Sequence, residues 1–452
     1  MVRTHSSRIA LVYPYFRTRA PTELLFAPLG VAILAAHLHE LGLEARVFDC
    51  TFSTFEQALS DLLEYQPEIV GIYCMISLSR NTFQMAEGLR QHLPDCLLVA
   101  GGPLPTLYPD HFAGAFHAIF RGEADESFPR LCQDFLRSKP VGQDFLARLP
   151  LKEYPGLYIH QNGLQIDNPP VHYTEKSIDA FPLPYRRDFD HSAYQEAGRL
   201  KDGRKTASLI TTYGCPFDCD FCSRPVFGNR FRRRNVDKVL AEIDEIHQLG
   251  YNHLWIADDS FTLDPAYLTA FCRRMAGKDM TWSCLSRVSG LNSKIAGMMQ
   301  AGGCRRVYLG LESGSPATLQ LMNKKATVEA GKQAVHLFHT AGVEVAAFFI
   351  VGYPGETEAS IEATFRLALD LPLDEISFNV PFPLPGSKLF ERVIGLDKNK
   401  DWNQENEVTF VYHSEFDQDW LRERIDATMR QFEANKKTPN SKAVKSCKKE
   451  QL

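Results

Sequence analysis

Three cysteines stand close together in mid-chain, Cys215, Cys219 and Cys222, within the stretch Thr211–Cys222, TTYGCPFDCDFC. Thiolates spaced Cys-x3-Cys-x2-Cys on one loop can converge on a metal centre. Gly214 and Pro216 favour the tight path that such a loop needs. Three thiolates are one short of a closed tetrahedral zinc site. They suit a [4Fe–4S] cluster whose fourth iron stays open to another ligand. On spacing alone, a zinc knuckle completed by His191 or His253 competes with that reading. The other cysteines, Cys50, Cys74, Cys96, Cys132, Cys272, Cys284, Cys304 and Cys447, are scattered singly and read as small buried hydrophobes.

The elements around the cluster must hold that loop. Apolar runs at Ala207–Thr212, His253–Ala257, Thr281–Leu285, Arg306–Leu311, Val343–Ile350 and Glu375–Val380 read as strands. Helical periodicity lies between them, at Val236–Leu249, Pro265–Met275 and Glu329–Ala341. Such alternation predicts a partial (β/α) barrel with its active site at the strand C-terminal ends, where the cysteine loop falls. An earlier α/β alternation has strands at Arg8–Tyr13, Glu44–Phe48, Ile69–Cys74, Cys96–Ala100 and Ala118–Phe120. Helices are expected there at Leu29–Leu41, Phe52–Tyr65 and Thr82–Leu93. Near-continuous apolar strands separated by helices predict a parallel sheet covered on both faces. The organisation expected is a first α/β domain over 1–149, a proline-rich connector over 150–204 with a hairpin around Asn162-Gly163, a barrel over 205–395 and a helical extension over 396–452. The tail from Lys436 reads as disordered.

With 452 residues, 44% hydrophobic, the chain can bury more than one core. A net charge of -5 gives no electrostatic case for a nucleic-acid partner. The polar start Met1–Ser7 is not followed by a signal core, and no long apolar run predicts a membrane span. A cytoplasmic, reducing location is expected, in which clustered cysteines mean metal or catalysis.

From Ala207 to Phe390 the chain resembles the radical S-adenosylmethionine (SAM) superfamily, whose motif is three cysteines at this spacing with an aromatic before the third; Phe221 stands there. The resemblance implies that Cys215, Cys219 and Cys222 hold a [4Fe–4S] cluster and that its open iron chelates SAM. It implies that Asp258 and Asp259, at a strand end, accept the SAM ammonium, although Asp264 and Ser260 beside them could simply cap a helix. Arg287 would hold the SAM carboxylate; the plain alternative is a surface arginine. Glu312 and Ser313 would contact the ribose, and Gly352 would lie in the segment flanking adenine. The segment Phe378–Phe390 resembles a proline-glycine loop on the substrate side, or else merely closes the barrel.

An α/β domain ahead of such a barrel resembles the cobalamin-binding radical SAM subfamily. Leu25–Val31, Val99–Pro103 and Arg121–Glu126 match its loop segments. Gly101 and Gly102 would let backbone approach the cobalamin, and Ser77, with Ser79, would hydrogen-bond it. The loop Tyr13–Thr18 lacks the Asp-x-His-x-x-Gly motif that supplies a lower cobalt ligand in many cobalamin domains. His37 and His39 lie on a helix pattern and read as packing or surface residues. The function implied is cobalamin-dependent methyl transfer: one SAM methylates cobalamin, and a second gives the 5′-deoxyadenosyl radical that activates an unactivated substrate carbon. A small-molecule substrate and an electron donor such as flavodoxin or ferredoxin go with it. The alternatives are a cobalamin-dependent cyclase or oxidoreductase, a methylthiotransferase with Cys50, Cys74 and Cys96 on a second cluster, and a non-catalytic corrinoid sensor.

Overall fold

A computed structural model of the protein describes residues 8–16, 25–138, 146, 149–161, 163–222, 226–396 and 410–437. The first sheet contains β1 (Arg8–Tyr13), β2 (Glu44–Asp49), β3 (Ile69–Tyr73), β4 (Leu97–Gly101), β5 (Ala118–Phe120), β6 (Leu157–Gln161) and β7 (Leu164–Asp167). Its order is β2-β1-β3-β4-β5-β6-β7. The first five strands are parallel and the last two antiparallel. Side chains alternate across it. Ile9, Leu11, Ile69, Leu97 and Val99 enter a core shared with the barrel. Ala10, Val12, Val70, Ile72 and Leu98 pack on the other face.

The expected hairpin is present, but it belongs to the first sheet. β6 pairs with β5 at Ile119↔Tyr158, so it extends that sheet instead of bridging two domains. Asn162 lies outside the described residues. The helix expected from Phe52 starts instead at Phe55, where the Thr54 side chain accepts from Gln57 N. Asp49 separately caps the preceding turn, Cys50–Phe52.

The second sheet opens with β8 (Thr206–Leu209), after which a short hairpin pairs β9 (Thr212–Tyr213) with β10 (Arg232–Arg233). β11 (His253–Ile256), β12 (Thr281–Ser286), β13 (Cys304–Glu312), β14 (Glu344–Ile350) and β15 (Glu375–Asn379) complete it. The parallel order β8-β11-β12-β13-β14-β15 is the partial barrel expected from the alternation. β8 ends earlier than the apolar run implied. Asp258 Oδ1 accepts from Thr211 N at 2.7 Å, which draws the chain off the ladder and into the hairpin. Helix starts are fixed by side-chain caps, including Asn235, Asp264, Asn292, Thr327 and Thr357.

The helix Gln418–Lys437 packs against the helix Glu358–Asp370 through Leu421, Ile425, Ile361 and Phe365. Lys436, placed in the tail by sequence, lies in the last turn of that helix and donates to Asp374 O at 2.7 Å. Among the described residues no helix is long and apolar enough to cross a membrane.

Polar contacts tie the two domains together. Tyr194 Oη donates to Asp49 Oδ2 at 2.6 Å, and Val47 N to Asp188 Oδ2 at 2.8 Å. A buried ion pair also joins Glu123, after β5, to Arg232 of β10.

Candidate active site

The cysteine loop leaves β9 at the C-terminal end of the barrel. Gly214 opens it with φ +78°, and a Cβ there would stand 2.3 Å from Arg230 O, so only glycine fits the turn. Cys215 is buried, whereas Cys219 and Cys222 are half-buried. Burial pushes the Cys215 thiol above its ordinary range. Arg287 Nη1 donates to Cys219 Sγ at 3.5 Å, and its guanidinium lies 3.6 Å over the Phe217 ring. Phe221 packs toward Met322, Ile350, Tyr353 and Leu389, bracing the loop.

The zinc alternative fails on its histidines. His191 is engaged by Tyr251 Oη at 2.9 Å and Arg186 O at 2.8 Å. His253 begins β11, at the barrel end opposite the cysteines, and meets Thr281 and Ser283 hydroxyls at 2.7 and 2.9 Å. Among the described residues, no three His, Cys, Asp or Glu side chains gather tightly enough for a single ion.

The two adjacent carboxylates do different things. Asp258 is buried and accepts from Thr211 N, from Thr211 Oγ1 at 2.5 Å and from Thr212 Oγ1 at 2.8 Å. Three donors from Thr211 and Thr212 thus engage its oxygens, and Asp258 braces the start of the cysteine loop. Asp259 is exposed within the barrel mouth, and its carboxylate has no hydrogen-bond partner among the described residues. Although solvent reaches the residue, desolvation by the surrounding protein raises its pKa. Ser260 Oγ accepts from Arg287 N at 3.3 Å, and Asp264 caps the following helix.

Arg287 is no surface residue: it is buried, its Nη2 donates to Lys324 O, and its Nε is buried without a partner. Glu312 faces Lys324. Ser313 turns away from the mouth; its hydroxyl meets Thr364 Oγ1 at 3.0 Å and accepts from Ser315 N at 3.1 Å. Gly352 (φ +81°) is required by the C-terminal segment, because a Cβ there would stand 2.8 Å from Phe410 Cζ. Sequence motifs pointed to Ser313 and Gly352 for the nucleoside; in the structure the Ser313 hydroxyl is hydrogen-bonded within the fold and Gly352 lies against Phe410. Lys324 was missed, since a lysine in an otherwise ordinary Met-Asn-Lys-Lys run carries no signal of burial.

A cavity of about 530 Å³ lies at the C-terminal ends of the first sheet. Tyr13, Gly30, Tyr73, Gly101 and Gly122 line it from the first domain, and Ser208, Ile210, Trp255 and Ala257 from the barrel. A Cβ on Gly101 would meet nothing within 4 Å, so that wall is open. Gly102, at φ +108°, is pressed to within 2.7 Å of Cys74 O when a Cβ is built on it. Ser77 is half-buried and does not line the cavity. Asp125 does line it, and burial together with the Glu123 charge pushes its carboxyl up to about 7. His37 lies behind the wall against Phe181, its ring centroid 4.6 Å away, and does not reach the cavity. Cys50 and Cys74 follow strands while Cys96 precedes one, so the three lie at opposite ends of the sheet and offer no second cluster.

The model of the radical SAM superfamily matches residues 209–368, and that of the B12 binding domain matches residues 19–132. An uncharacterized methyltransferase of Pyrococcus horikoshii is 30% identical over 378 residues, covering 81% of this chain and 78% of the relative. The chain belongs to the B12-binding radical SAM family. Anaerobic magnesium-protoporphyrin IX monomethyl ester cyclase of Rubrivivax gelatinosus is 26% identical, covering 95% of this chain and 78% of that protein. The fold is shared with the radical SAM methyltransferase TsrM of Kitasatospora setae, solved with cobalamin and a [4Fe–4S] cluster bound. The TM-score is 0.70 at 19% identity, over 85% of this chain and 74% of that one. The radical SAM match begins at the end of β8 and contains Cys215, Cys219, Cys222, Asp258, Asp259, Arg287, Glu312 and Lys324, and the B12 match contains Tyr73, Gly101, Gly102 and Asp125.

Proposed function

We propose that the protein is a cobalamin-dependent radical SAM methyltransferase acting on an unactivated carbon of a small molecule. The observation that carries this reading is a cavity walled by both domains. The cavity at the ends of the first sheet is walled on its far side by Ser208, Ile210, Trp255 and Ala257 of the barrel, whose cysteine loop follows β9. Phe26 of the first domain stacks on Trp255 at 5.8 Å, so the two halves meet at the inner barrel face.

When bound, the cluster supplies the electron that cleaves SAM to a 5′-deoxyadenosyl radical, and cobalamin supplies the methyl group. Cys215, Cys219 and Cys222 would hold the cluster. The unpartnered Asp259 carboxylate suits the SAM ammonium, and the unpaired Arg287 Nε suits its carboxylate. Glu312 is the acceptor offered to the ribose. Gly101 and Gly102 would admit the corrin to the cavity. The aromatic contacts Phe26–Trp255 and Trp255–Tyr308 keep the inner face apolar and exclude water from it. The reaction is placed in the cytoplasm, with reduced flavodoxin or ferredoxin as the electron donor.

Anaerobically reconstituted protein, given SAM and a low-potential reductant, is expected to form both 5′-deoxyadenosine and S-adenosylhomocysteine. The second product reports methyl donation. 5′-Deoxyadenosine alone would favour the cyclase-type reaction, and neither product would refute both.

A further inference from the structure

Two opposite charges are buried together at the barrel mouth, and only one of them has a role so far. Glu312 closes β13 with φ +62°, a left-handed conformation that costs a residue bearing a Cβ. The register between β13 and β14 jumps between Gly310 and Glu312, a bulge of the kind that re-aims a side chain. Lys324 Nζ lies 2.6 Å from Glu312 Oε1, and both residues are 6% exposed. The pair sits on Gly310, where a Cβ would stand 2.5 Å from Glu312 Oε1 and 2.7 Å from Lys324 Nζ. Glu312 Oε2 accepts no hydrogen bond among the described residues.

The backbone around Lys324 is pinned as firmly. Its carbonyl accepts from Arg287 Nη2, and its N–H donates to Leu319 O at 3.0 Å. Asn323 and Lys325 on either side are both left-handed, at φ +51° and +50°. The same segment grips the cysteine loop: Asp220 N donates to Met322 O at 3.0 Å, and Asn323 Nδ2 to Asp218 O. A buried ion pair contributes little net stability compared with apolar packing. Here it is held by strained backbone at a strand end, the pattern found where geometry serves function.

We propose that Lys324 is a positioning residue for nucleoside recognition. Its ammonium fixes one oxygen of the Glu312 carboxylate, so that the other presents its lone pairs to the ribose cis-diol of SAM. This rests on the SAM reading above.

The test measures binding to cluster-loaded protein by equilibrium dialysis, with iron and sulfide content as the fold control. The probes are SAM, 5′-methylthioadenosine, which keeps the ribose but lacks the amino acid, and methionine, which lacks the nucleoside. K324M is expected to weaken SAM and 5′-methylthioadenosine together, by about 10- to 30-fold, and to leave methionine unchanged. K324R, which keeps the charge, should stay within about threefold of wild type for all three. K324M/E312Q should be no weaker than E312Q alone, because both changes remove one interaction. Wild-type affinities in K324M overturn the proposal. So does a loss confined to SAM, which would place the ammonium at the amino-acid end. If K324M does not fold, K324R and E312Q decide: binding of 5′-methylthioadenosine kept in the first and lost in the second supports the role, and loss in both overturns it. A wild-type chain that binds neither nucleoside refutes the SAM reading itself, a result distinct from equal binding by wild type and K324M.

Discussion

Replacing Glu123 by glutamine should loosen the joint between the first-domain cavity and the cysteine loop. Glu123 Oε2 accepts from Arg232 Nη1 at 2.7 Å and Tyr173 N at 2.9 Å, and Oε1 from Arg232 Nη2 at 2.5 Å. Glu123 is 8% exposed and Arg232 5%. Glutamine keeps one acceptor oxygen but points an amide NH2 at the guanidinium or at the Tyr173 N–H, and it leaves a buried cation without a counter-charge. Removing one partner of a buried pair costs about 3–5 kcal/mol. Arg232 retains the carbonyls of Tyr173 at 2.9 Å and Phe227 at 3.0 Å, which places E123Q near the lower end of that range. Burial alone would raise the Glu123 pKa, but hydrogen bonds from His172 and Arg232 and the Arg232 charge outweigh it and hold it below the ordinary value of 4.5. The folded-state pKa is therefore depressed. The associated stability is present above the ordinary value and is lost as pH falls through the folded one. Urea unfolding of cluster-free wild type, E123Q and E123L/R232M should show E123Q the least stable, with its acid dependence flattened. A loss below about 0.5 kcal/mol in E123Q, or a double variant no more stable than E123Q, would refute the reasoning. Arg232 of β10 pairs with Tyr213, the residue before Gly214, so cluster uptake by E123Q should fall as well.

Other substitutions separate the remaining roles. C215A, C219A or C222A should each abolish reconstitution of a cluster that generates 5′-deoxyadenosine, measured by iron, sulfide and product analysis. D258N removes an acceptor from the three-donor set on Thr211 and Thr212 and should cost about 2–3 kcal/mol in urea unfolding; D259N should leave stability within about 0.5 kcal/mol and weaken SAM binding instead. G102A forces a Cβ to 2.7 Å from Cys74 O at φ +108°, and should lower stability by more than about 1 kcal/mol and reduce corrinoid retained on gel filtration. Burial, then the charges of nearby arginines, lowers the His253 pKa from 6.5 to about 3. Stability tied to neutral His253 is present above 6.5 and lost as pH falls toward the folded value, so H253Q should flatten the acid limb of a stability–pH curve.

Local sequence was informative where spacing along the chain equals spacing in space. The cysteine loop is one such case, since three ligands within a single turn of chain need no other element to bring them together. The barrel strands are another, because burial on both faces leaves uninterrupted apolar runs such as residues 307–311. Glycines were less informative, because their reasons differ. Gly214 serves the loop, whereas Gly352 makes room for Phe410, a residue far along the chain. The hairpin at 157–167 was foreseen, but its edge partner β5 was not, since strand pairing is a long-range choice that a turn signal does not encode.

The sequence by itself indicated the candidate cluster ligands, the two α/β halves and the positions of the loops at strand ends, all properties of residue type and short-range period. Only the tertiary structure decided how each polar group is used. Asp258 and Asp259 are chemically alike and adjacent, yet one is walled in by Thr211 and Thr212 while the other is left open. Ser313 was drawn to Thr364, and Lys324 to Glu312. A side chain's partner depends on which segments the fold brings within about 3 Å of it, and that distance is set by packing, not by neighbours in sequence.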